Sequence, residues 1–362
     1  MLRKSITLSL QEEVDLIKKN KGFATSISNP SFNARNLENI KLNNFNLQGS
    51  LSGEVEIKKI AQDKLFTHWK GSDKDYEVLI TNGAKAALYS VFKAVAKKRK
   101  NNFGIINPNW PTYQDLVYLS GAKPFYFNTF LKDNYEIDLG KLDTFIKKNK
   151  LNLLVLSSPN NPCGKIYDHR TIKELISICN KRDCFLVIDE SFSSIIFNQS
   201  IFKQKLNLNK NNIAIINSFS KNFHLQGLRL GAILASKQLI EEFANINIAV
   251  NGAPNNLSQF VVKQYKTKLL KTFDLGAKKK IVTDFLTSKN VEFYEPDGSF
   301  YLFPKMKNKK NFMNLSKKNG IFYLGGEHFG SSQYNNFYRF CFEKKEADLK
   351  NILRIMNEYE IY

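Results

Sequence analysis

Residues 152–190, "NLLVLSSPNNPCGKIYDHRTIKELISICNKRDCFLVIDE", decide the fold class of this chain. The apolar runs at 152–159 and 184–190 have the length of buried strands. Between them, residues 168–183 repeat apolar side chains at the spacing of an amphipathic helix. A strand–helix–strand unit of this kind is typical of a parallel sheet that is covered by helices on both faces.

Similar apolar runs extend the sheet on either side, at 103–108, 212–218 and 229–236. The sequence therefore predicts an α/β fold with a mainly parallel central sheet and helices on both faces. In open α/β sheets the ligand crevice lies outside the carboxyl ends of the strands. Polar residues accumulate just after these strands, namely Asn107, Asn161, Asp189 and Ser218.

The last hundred or so residues have a different pattern. A lysine-rich helical stretch at about 258–290 precedes a strand-like segment, 291–306, with an Asp-Gly turn, and a helix ends the chain. We interpret this region as a smaller α+β domain. The predicted division is an N-terminal segment joining the small domain (1–45), a large α/β domain (46–250) and the small domain (251–362).

The net charge of +21, from 54 basic and 33 acidic residues, raises the question of a nucleic-acid partner. The basic residues are mostly lysine and are scattered along the chain. Their densest run, 97–100, falls at a predicted helix end, where cations suit the helix dipole. No known nucleic-acid-binding motif accompanies the charge, so a compositional lysine bias explains it better.

The sequence also predicts the compartment. The four cysteines form no CxxC pair and no disulfide framework, which suits reduced thiols. The apolar stretch near the N-terminus is too short for a signal peptide, and no run of about 18 apolar residues predicts a membrane span. We expect a soluble cytoplasmic protein with no membrane partner.

Several common site motifs are absent from the sequence. There is no GxGxxG, no GxxxxGK[ST], and the four histidines lack metal-ligand spacing, so we expect no metal. The "SFSK" at 218–221 matches the SxxK of serine acyl enzymes, but neither an SDN nor a KTG companion occurs.

The remaining candidates make chemical sense as a group. Taken singly, Asp189 could be a turn residue, Lys221 a surface lysine, and Gly83 an ordinary start of a helix. Arg229 opens a buried strand and therefore needs an anion. A strand-end acid, an amine able to form a Schiff base, a phosphate cradle and the flat face of Trp110 are together what pyridoxal phosphate requires.

A series of motifs along nearly the whole chain resembles the fold-type I pyridoxal-phosphate enzymes, in the class I/II aminotransferase family that includes aspartate aminotransferases. The ordered series is highly specific, and its Asp–Lys–Arg portion is the strongest. The motifs are "ITNGAKAAL" (80–88), "NPNWPTYQDL" (107–116), "SSPNNPCGKIY" (157–167), "VIDESFSSIIF" (187–197), "NSFSKNFHLQGLRLGAI" (217–233), "GSFYLFPKM" (298–306), "GEHFG" (326–330) and "NNFYRFCFE" (335–343).

The resemblance implies a role for each matching residue. Lys221 would form the Schiff base and move the substrate proton, and Asp189 would pair with the pyridine nitrogen. Asn161 would hydrogen-bond the phenolic oxygen of the cofactor, and Trp110 would stack on its ring. The residues expected around the phosphate are Gly83, Ala84, Lys85, Ser218 and Arg229.

The substrate side follows from the same resemblance. Arg339 would clamp the substrate α-carboxylate through its planar guanidinium. Trp110, Asn161 and Asn29 would also contact the substrate. The resemblance further implies a homodimer with the site at the subunit interface.

Three positions depart from the family pattern. Ser191 and Phe192 follow the "DE", where relatives have a small residue and then a tyrosine that bonds the phenolic oxygen; with one donor fewer, we expect a higher pKa of the Schiff base. Gln48, Gly49 and Ser50 fall where relatives carry a tyrosine that reaches the partner subunit's phosphate. Asn29 replaces a glycine that contacts the substrate.

Three functions remain open from the sequence. The first is an aminotransferase that moves an amino group between an amino acid and a 2-oxo acid. The second is a pyridoxal-phosphate-dependent decarboxylase or carbon–sulfur lyase of the same fold, because a fold does not determine which bond is cleaved. The third is a non-catalytic basic binding protein, in which Lys221 would be unreactive.

Overall fold

The computed structural model describes residues 5–21, 23–30, 42, 49–70, 75–96, 101–198, 206–207, 212–265 and 275–362. Gln48, the run 97–100 and part of the N-terminal segment lie outside these ranges. The helices are α1 (Ile6–Lys21), α2 (Val55–Lys64), α3 (Ala84–Val95), α4 (Thr112–Leu119), α5 (Leu139–Asn149), α6 (His169–Lys181), α7 (Phe219–Asn222), α8 (Lys237–Asn251), α9 (Asn256–Tyr265), α10 (Leu275–Ser288), α11 (Lys309–Lys318) and α12 (Glu346–Glu358).

The strands of the described residues form one large sheet and three small ones. They are β1 (Thr25–Ser26), β2 (Trp69–Lys70), β3 (Tyr76–Thr81), β4 (Asn102–Asn107), β5 (Lys123–Asn128), β6 (Leu153–Ser157), β7 (Phe185–Asp189), β8 (Leu206–Asn207), β9 (Ile213–Ser218), β10 (Gly231–Ser236), β11 (Tyr301–Leu302), β12 (Ile321–Phe322), β13 (Leu324–Gly325) and β14 (Tyr338–Cys341).

The large sheet has seven strands in the order β3-β10-β9-β7-β6-β4-β5. The pairings from β9 to β5 are all parallel, whereas β10 runs antiparallel to both β9 and β3. The predicted α/β class with a mainly parallel sheet is therefore confirmed. The direction of β10 could not be predicted, because an apolar run has the same composition in either direction.

Both faces of the large sheet are covered by helices, as the sequence predicts. Along β6, Leu154 and Leu156 pack into one core with α2, α5 and α6. The alternate residues, Leu153 and Val155, pack into the opposite core with α3, α4 and α8. This alternation explains why β6 is apolar at each of its first four positions, up to Ser157 at the cavity end.

A third core lies outside the large sheet and combines α10, α12, β11 and β14 with Ile27 from the N-terminal segment. β1 pairs in parallel with β12, which attaches that segment to the C-terminal part of the chain. Val262 packs in the first core and Leu275 in the third. We therefore propose that the boundary between the large and small domains lies between these two residues rather than at 250.

The predicted strand-like segment 291–306 is mostly not a strand, since only Tyr301–Leu302 of it joins a sheet. The Oδ2 atom of Asp297 accepts hydrogen bonds from the Tyr294 hydroxyl at 2.6 Å and the Ile166 amide at 3.1 Å. These side-chain contacts fix the segment against the turn after β6, together with main-chain hydrogen bonds from the Asp297 and Gly298 amides to the Gly164 carbonyl. No helix in the described ranges is both long and apolar enough to cross a membrane.

Candidate active site

A cavity of about 520 Å³ lies at the carboxyl ends of the parallel strands. It is the place where the sheet pattern predicts a ligand crevice. Nearly all of the predicted site residues line it together, although they come from distant parts of the chain. These residues are Ala84, Lys85, Trp110, Asn161, Asp189, Ser218, Lys221, Arg229 and Arg339.

Asp189 ends β7 and is buried beneath the cavity. Its Oδ2 atom accepts a hydrogen bond from the Tyr113 hydroxyl at 2.7 Å. Its Oδ1 atom accepts from the amide and hydroxyl of Ser191 at 3.0 and 2.6 Å. Burial raises the pKa of Asp189, and these donors oppose the rise because they favour the ionised form.

Lys221 lies on the four-residue helix α7, directly after β9. The Ser218 hydroxyl caps this helix by accepting a hydrogen bond from the Ser220 amide at 3.1 Å. Burial lowers the pKa of Lys221 to about 8, and Arg339, Arg229 and Lys85 add to the effect through their positive charges. Near neutral pH, Lys221 therefore has a larger neutral, nucleophilic fraction than an exposed lysine.

An anion cradle forms where α3 begins. Gly83 has a φ of +89°, and a Cβ at this position would lie 2.7 Å from Nη2 of Arg229. The Arg229 Nη1 atom donates to the Gln226 carbonyl at 3.1 Å and to the Ser220 hydroxyl at 3.4 Å. A guanidinium beside the free amides of a helix N-terminus suits a phosphate group. Gly83 contributes backbone shape here and no side chain.

Gly231 makes this close approach possible on the strand side. A Cβ on Gly231 would lie 2.6 Å from the Ala84 amide nitrogen and 2.5 Å from the carbonyl carbon of Gly83. β10 can thus pass directly against the turn that opens α3. The cradle depends on this contact, since it places the start of β10 beside the helix N-terminus. Arg229 does not open this strand as predicted: it lies two residues before β10, with a φ of 52°.

Arg339, on β14, is 3% exposed. Its Nη1 atom donates to Oδ1 of Asn161 at 3.1 Å, and its Nη2 atom donates to the Ser28 carbonyl at 2.9 Å. The guanidinium carbon lies 4.3 Å from the ring centroid of Tyr301. No described carboxylate bonds this guanidinium, so its charge suits an anionic ligand in the cavity.

Lys85 and Trp110 form another part of the cavity wall. The Lys85 ammonium lies 5.4 Å from the ring centroid of Trp110, within cation–π range. Burial lowers the pKa of Lys85, and the charge of Arg229 lowers it further. Trp110 also packs edge-on against Tyr113 at a centroid distance of 5.6 Å, which links the wall to the residue that holds Asp189.

Asn29 does not point toward the others. Its side-chain amide donates to the Gln11 carbonyl oxygen Oε1 at 3.2 Å and to the Thr7 main-chain carbonyl at 3.4 Å. Asn29 therefore fixes α1, and the neighbouring Pro30 lines the cavity in its place. We expected Asn29 to contact the substrate because relatives have a substrate-contacting glycine at this position. The Asn29 side chain is instead directed away from the cavity by its hydrogen bonds to α1.

The cavity also contains residues that sequence reasoning did not assign. Tyr113 and Ser220 lie within the motifs 107–116 and 217–233, so the matches of neighbouring residues could have indicated them. The wall from the first residues and α1 had no such signal, because it depends on long-range packing. The unassigned lining residues include Tyr113, Ser191, Ser220, Tyr301, Ser5, Thr7 and Leu8.

Phe192 lines the cavity as well and packs edge-on against Phe300 and Tyr301, with centroid distances of 5.2 and 5.7 Å. Its ring is part of the third core. The structure thus gives this position a packing role between the two halves of the site.

Glu190 lies directly beneath the site and is 5% exposed. The Trp69 indole donates to its Oε1 atom at 2.9 Å, and Oε2 is buried without a partner among the described residues. Burial, opposed by the Trp69 hydrogen bond and aided by the nearby Asp189 charge, raises the pKa of Glu190 to about 8. Glu190 is therefore a neutral carboxylic acid at moderate pH.

Comparison with known proteins adds to this geometry. The family model described as "Aminotransferase class I and II" matches residues 28–356. The aspartate aminotransferase of Sulfolobus acidocaldarius is 26% identical over 332 residues, which cover 87% of this chain and 82% of that protein. The probable aspartate aminotransferase of Methanocaldococcus jannaschii is 27% identical over 331 residues, which cover 85% and 84%.

Solved structures agree on the fold. The aspartate aminotransferase of Thermotoga maritima superposes with a TM-score of 0.85 at 21% identity and covers 100% of this chain and 98% of its own. The Thermus thermophilus aspartate aminotransferase with maleate gives a TM-score of 0.87 at 16% identity, with coverage of 99% and 97%.

The protonation of Glu190 predicts a pH-dependent stability. Its pKa is about 8 in the folded state against 4.5 ordinarily, so its contribution is complete below about pH 4.5 and is lost as the pH rises through about 8. Glu190→Gln keeps an acceptor for Trp69 but cannot ionise. Between pH 5 and pH 8, the wild type should lose about 1–3 kcal/mol more unfolding free energy than Glu190→Gln. Denaturant titrations check this, with the exposed Glu241→Gln as control; parallel curves for all three proteins would contradict it.

Proposed function

The chain belongs to the class I and II aminotransferase family, and on this premise we propose that Lys221 carries the pyridoxal phosphate that family members use. The protein is a pyridoxal-phosphate-dependent aminotransferase, which moves an amino group between an amino acid and a 2-oxo acid. The observation that carries the assignment of Lys221 is its position in one cavity with Asp189, the Arg229 cradle and Arg339.

The residues of the cavity fit the cofactor. The space that a Cβ on Gly83 would fill, beside Arg229, suits the phosphate. Asp189 presents a buried carboxylate for the pyridine nitrogen, and Trp110 offers a ring face. When bound, pyridoxal phosphate supplies an electron sink for the bond broken at the substrate Cα.

The chain's own residues supply proton transfer and orientation. Asp189, held by Tyr113 and Ser191, would keep the ring nitrogen protonated. Lys221 Nζ would take the proton from the substrate Cα and return it to the cofactor carbon that is bonded to the same nitrogen, two bonds from Cα. Arg339 would bind the α-carboxylate, and Asn161, already bonded to Arg339, would orient both partners.

The assignment of Lys221 is tested by borohydride reduction of the purified protein. We expect a visible absorption band from the bound cofactor, and reduction should attach the cofactor to the peptide that contains Lys221. Lys221→Ala should bind cofactor without covalent attachment after reduction, whereas the control Lys278→Ala should behave like the wild type. Attachment at a different lysine, or a colourless protein that takes up no cofactor, would overturn the proposal.

We further propose an amino acid substrate with an acidic side chain. The relatives from Sulfolobus acidocaldarius and Methanocaldococcus jannaschii are named aspartate aminotransferase and probable aspartate aminotransferase. The cavity contains four cationic side chains and a single carboxylate, Asp189. With Lys221, Arg229 and Arg339 assigned, Lys85 is left for a further anionic group, such as the side-chain carboxylate of aspartate.

Lys85→Met tests this substrate class. Because the variant removes the charge and keeps the apolar stem, kcat/KM for aspartate should fall about 10- to 100-fold, while kcat/KM for alanine changes less than about threefold. Lys93→Met, on the exposed side of the same helix, serves as control. An equal loss for both substrates, with weaker cofactor binding, would assign Lys85 to the phosphate instead.

We also propose a homodimer, with this site at its interface. Exposed apolar side chains occur on adjacent segments near the phosphate cradle, and the Glu54 amide joins two of these segments by donating to Gln259 Oε1 at 2.8 Å. Asn82, next to Gly83, bonds the Ala253 carbonyl at 3.5 Å. The side chains are Leu51, Val55, Val250 and Leu257, which are 57%, 82%, 56% and 47% exposed.

Charges placed on this surface should dissociate the dimer. The double variant Leu51→Asp with Val55→Asp places one acid at the N-terminus of α2, where it suits the helix dipole, so folding should be preserved. Light scattering should give twice 41.7 kDa for the wild type and 41.7 kDa for the variant. Met313→Asp, on an exposed helix elsewhere, is the control, and a monomeric wild type would refute the proposal.

For the location of the protein we propose the cytoplasm. All four cysteines are free and buried, which suits a reducing compartment.

A further inference from the structure

The N-terminal segment makes a compact loop against β14. The amides of Ser28 and Asn29 both donate to the Ser26 hydroxyl, at 3.2 and 3.1 Å. The Ser28 hydroxyl donates to the Arg339 main-chain carbonyl at 2.5 Å and accepts from the Leu324 amide at 2.8 Å. Through these bonds the loop and the strand of Arg339 hold each other at backbone level.

Lys344 closes this loop from below. Its ammonium donates to the Ser26 carbonyl at 2.7 Å and to the Asn29 carbonyl at 2.8 Å. The residue is 2% exposed, and burial lowers its pKa. The neighbouring carboxylate, Glu343, bonds Lys278 instead. Lys344 is therefore a buried cation whose charge is directed at two main-chain carbonyls, one on each side of Ser28.

The Ser28 carbonyl lies between these two anchors and accepts from Nη2 of Arg339 at 2.9 Å. The loop thus holds the guanidinium through Nη2, and Asn161 holds it through Nη1 from the large-domain side. If the loop shifts, the guanidinium loses one of its two hydrogen-bonded supports. A misplacement of about 1 Å in a ligand-orienting group can cost a large factor in rate.

We propose that Lys344 is a positioning residue for Arg339: by bridging the Ser26 and Asn29 carbonyls, it holds the Ser28 carbonyl where it orients the guanidinium for the substrate α-carboxylate. This inference rests on the proposed function, because it requires Arg339 to bind a carboxylate. A buried ammonium is costly to desolvate, and charge-assisted bonds to two carbonyls offset that cost. An apolar residue would fill the same space without ordering the loop.

The experiment compares L-alanine with ethylamine, which is alanine without its carboxylate. In the cofactor-loaded Lys344→Met variant, the rate constant over dissociation constant for the half-reaction with alanine should fall about tenfold, while the value for ethylamine stays within about twofold of the wild type. Lys345→Met, which removes the adjacent exposed lysine without touching the loop or the Lys278–Glu343 pair, should leave both values unchanged. Lys344→Gln retains a donor, so it should lie between Lys344→Met and the wild type, and it replaces Lys344→Met if that variant does not fold.

A second measurement needs no activity. Hydrogen exchange of the Ser28 and Asn29 amides should be faster in Lys344→Met than in the wild type, with the strands of the large sheet unchanged. Equal losses for alanine and ethylamine, or unchanged exchange at these amides, would overturn the positioning role. A wild-type protein without the cofactor band would overturn the proposed function and the role of Lys344 with it, which distinguishes the two failures.

Discussion

The register of β7 between β6 and β9 is the constraint on which the site depends. Ser157 lies opposite Asp189, and Asp189 lies opposite Ile216, so the strand ends reach the cavity together. Side chains alternate between faces along a strand, and a slip of one residue would exchange Asp189 with Glu190. A slip would also exchange Leu186 and Ile188 of one core with Phe185 and Val187 of the other, and these side chains differ in size and shape, so packing opposes it.

Features encoded within a few residues could be predicted from the sequence, and features created by distant contacts could not. Asp189 and Lys221 follow strands whose apolar runs are visible in the chain, so both positions in the crevice were predictable. The direction of the Asn29 side chain depends on α1, and the role of Tyr113 depends on a hydrogen bond to a residue far along the chain. Neither contact leaves a periodic signal. The same holds for Lys344, which the lysine-rich composition makes inconspicuous.

The positive charges of the chain have different energetic effects on the protein surface and in its interior. Most lysines lie on the surface, where solvent screens them. Lys344 and Arg339 are buried and Arg229 is exposed, and all three bond neutral groups among the described residues. Buried cations without a carboxylate partner are unfavourable until an anion binds. Arg339 lines the cavity, where an anion can reach it, so its unpaired charge favours binding of the proposed substrate carboxylate.

On the proposed assignment, this charge arrangement would also adjust the pKa of Lys221 as ligands bind. Before anions bind, the positive charges of Arg339, Arg229 and Lys85 add to burial in lowering the pKa of Lys221, which favours the neutral amine. An anion beside Arg229 or Arg339 offsets that guanidinium, so the basicity of Lys221 increases as the cavity fills. A nucleophile must be neutral, whereas a proton acceptor works best when its basicity is higher. On the proposed assignment of Lys221, the same three cations would allow one lysine to serve both tasks in sequence, and the proposed positioning role of Lys344 would contribute indirectly through Arg339.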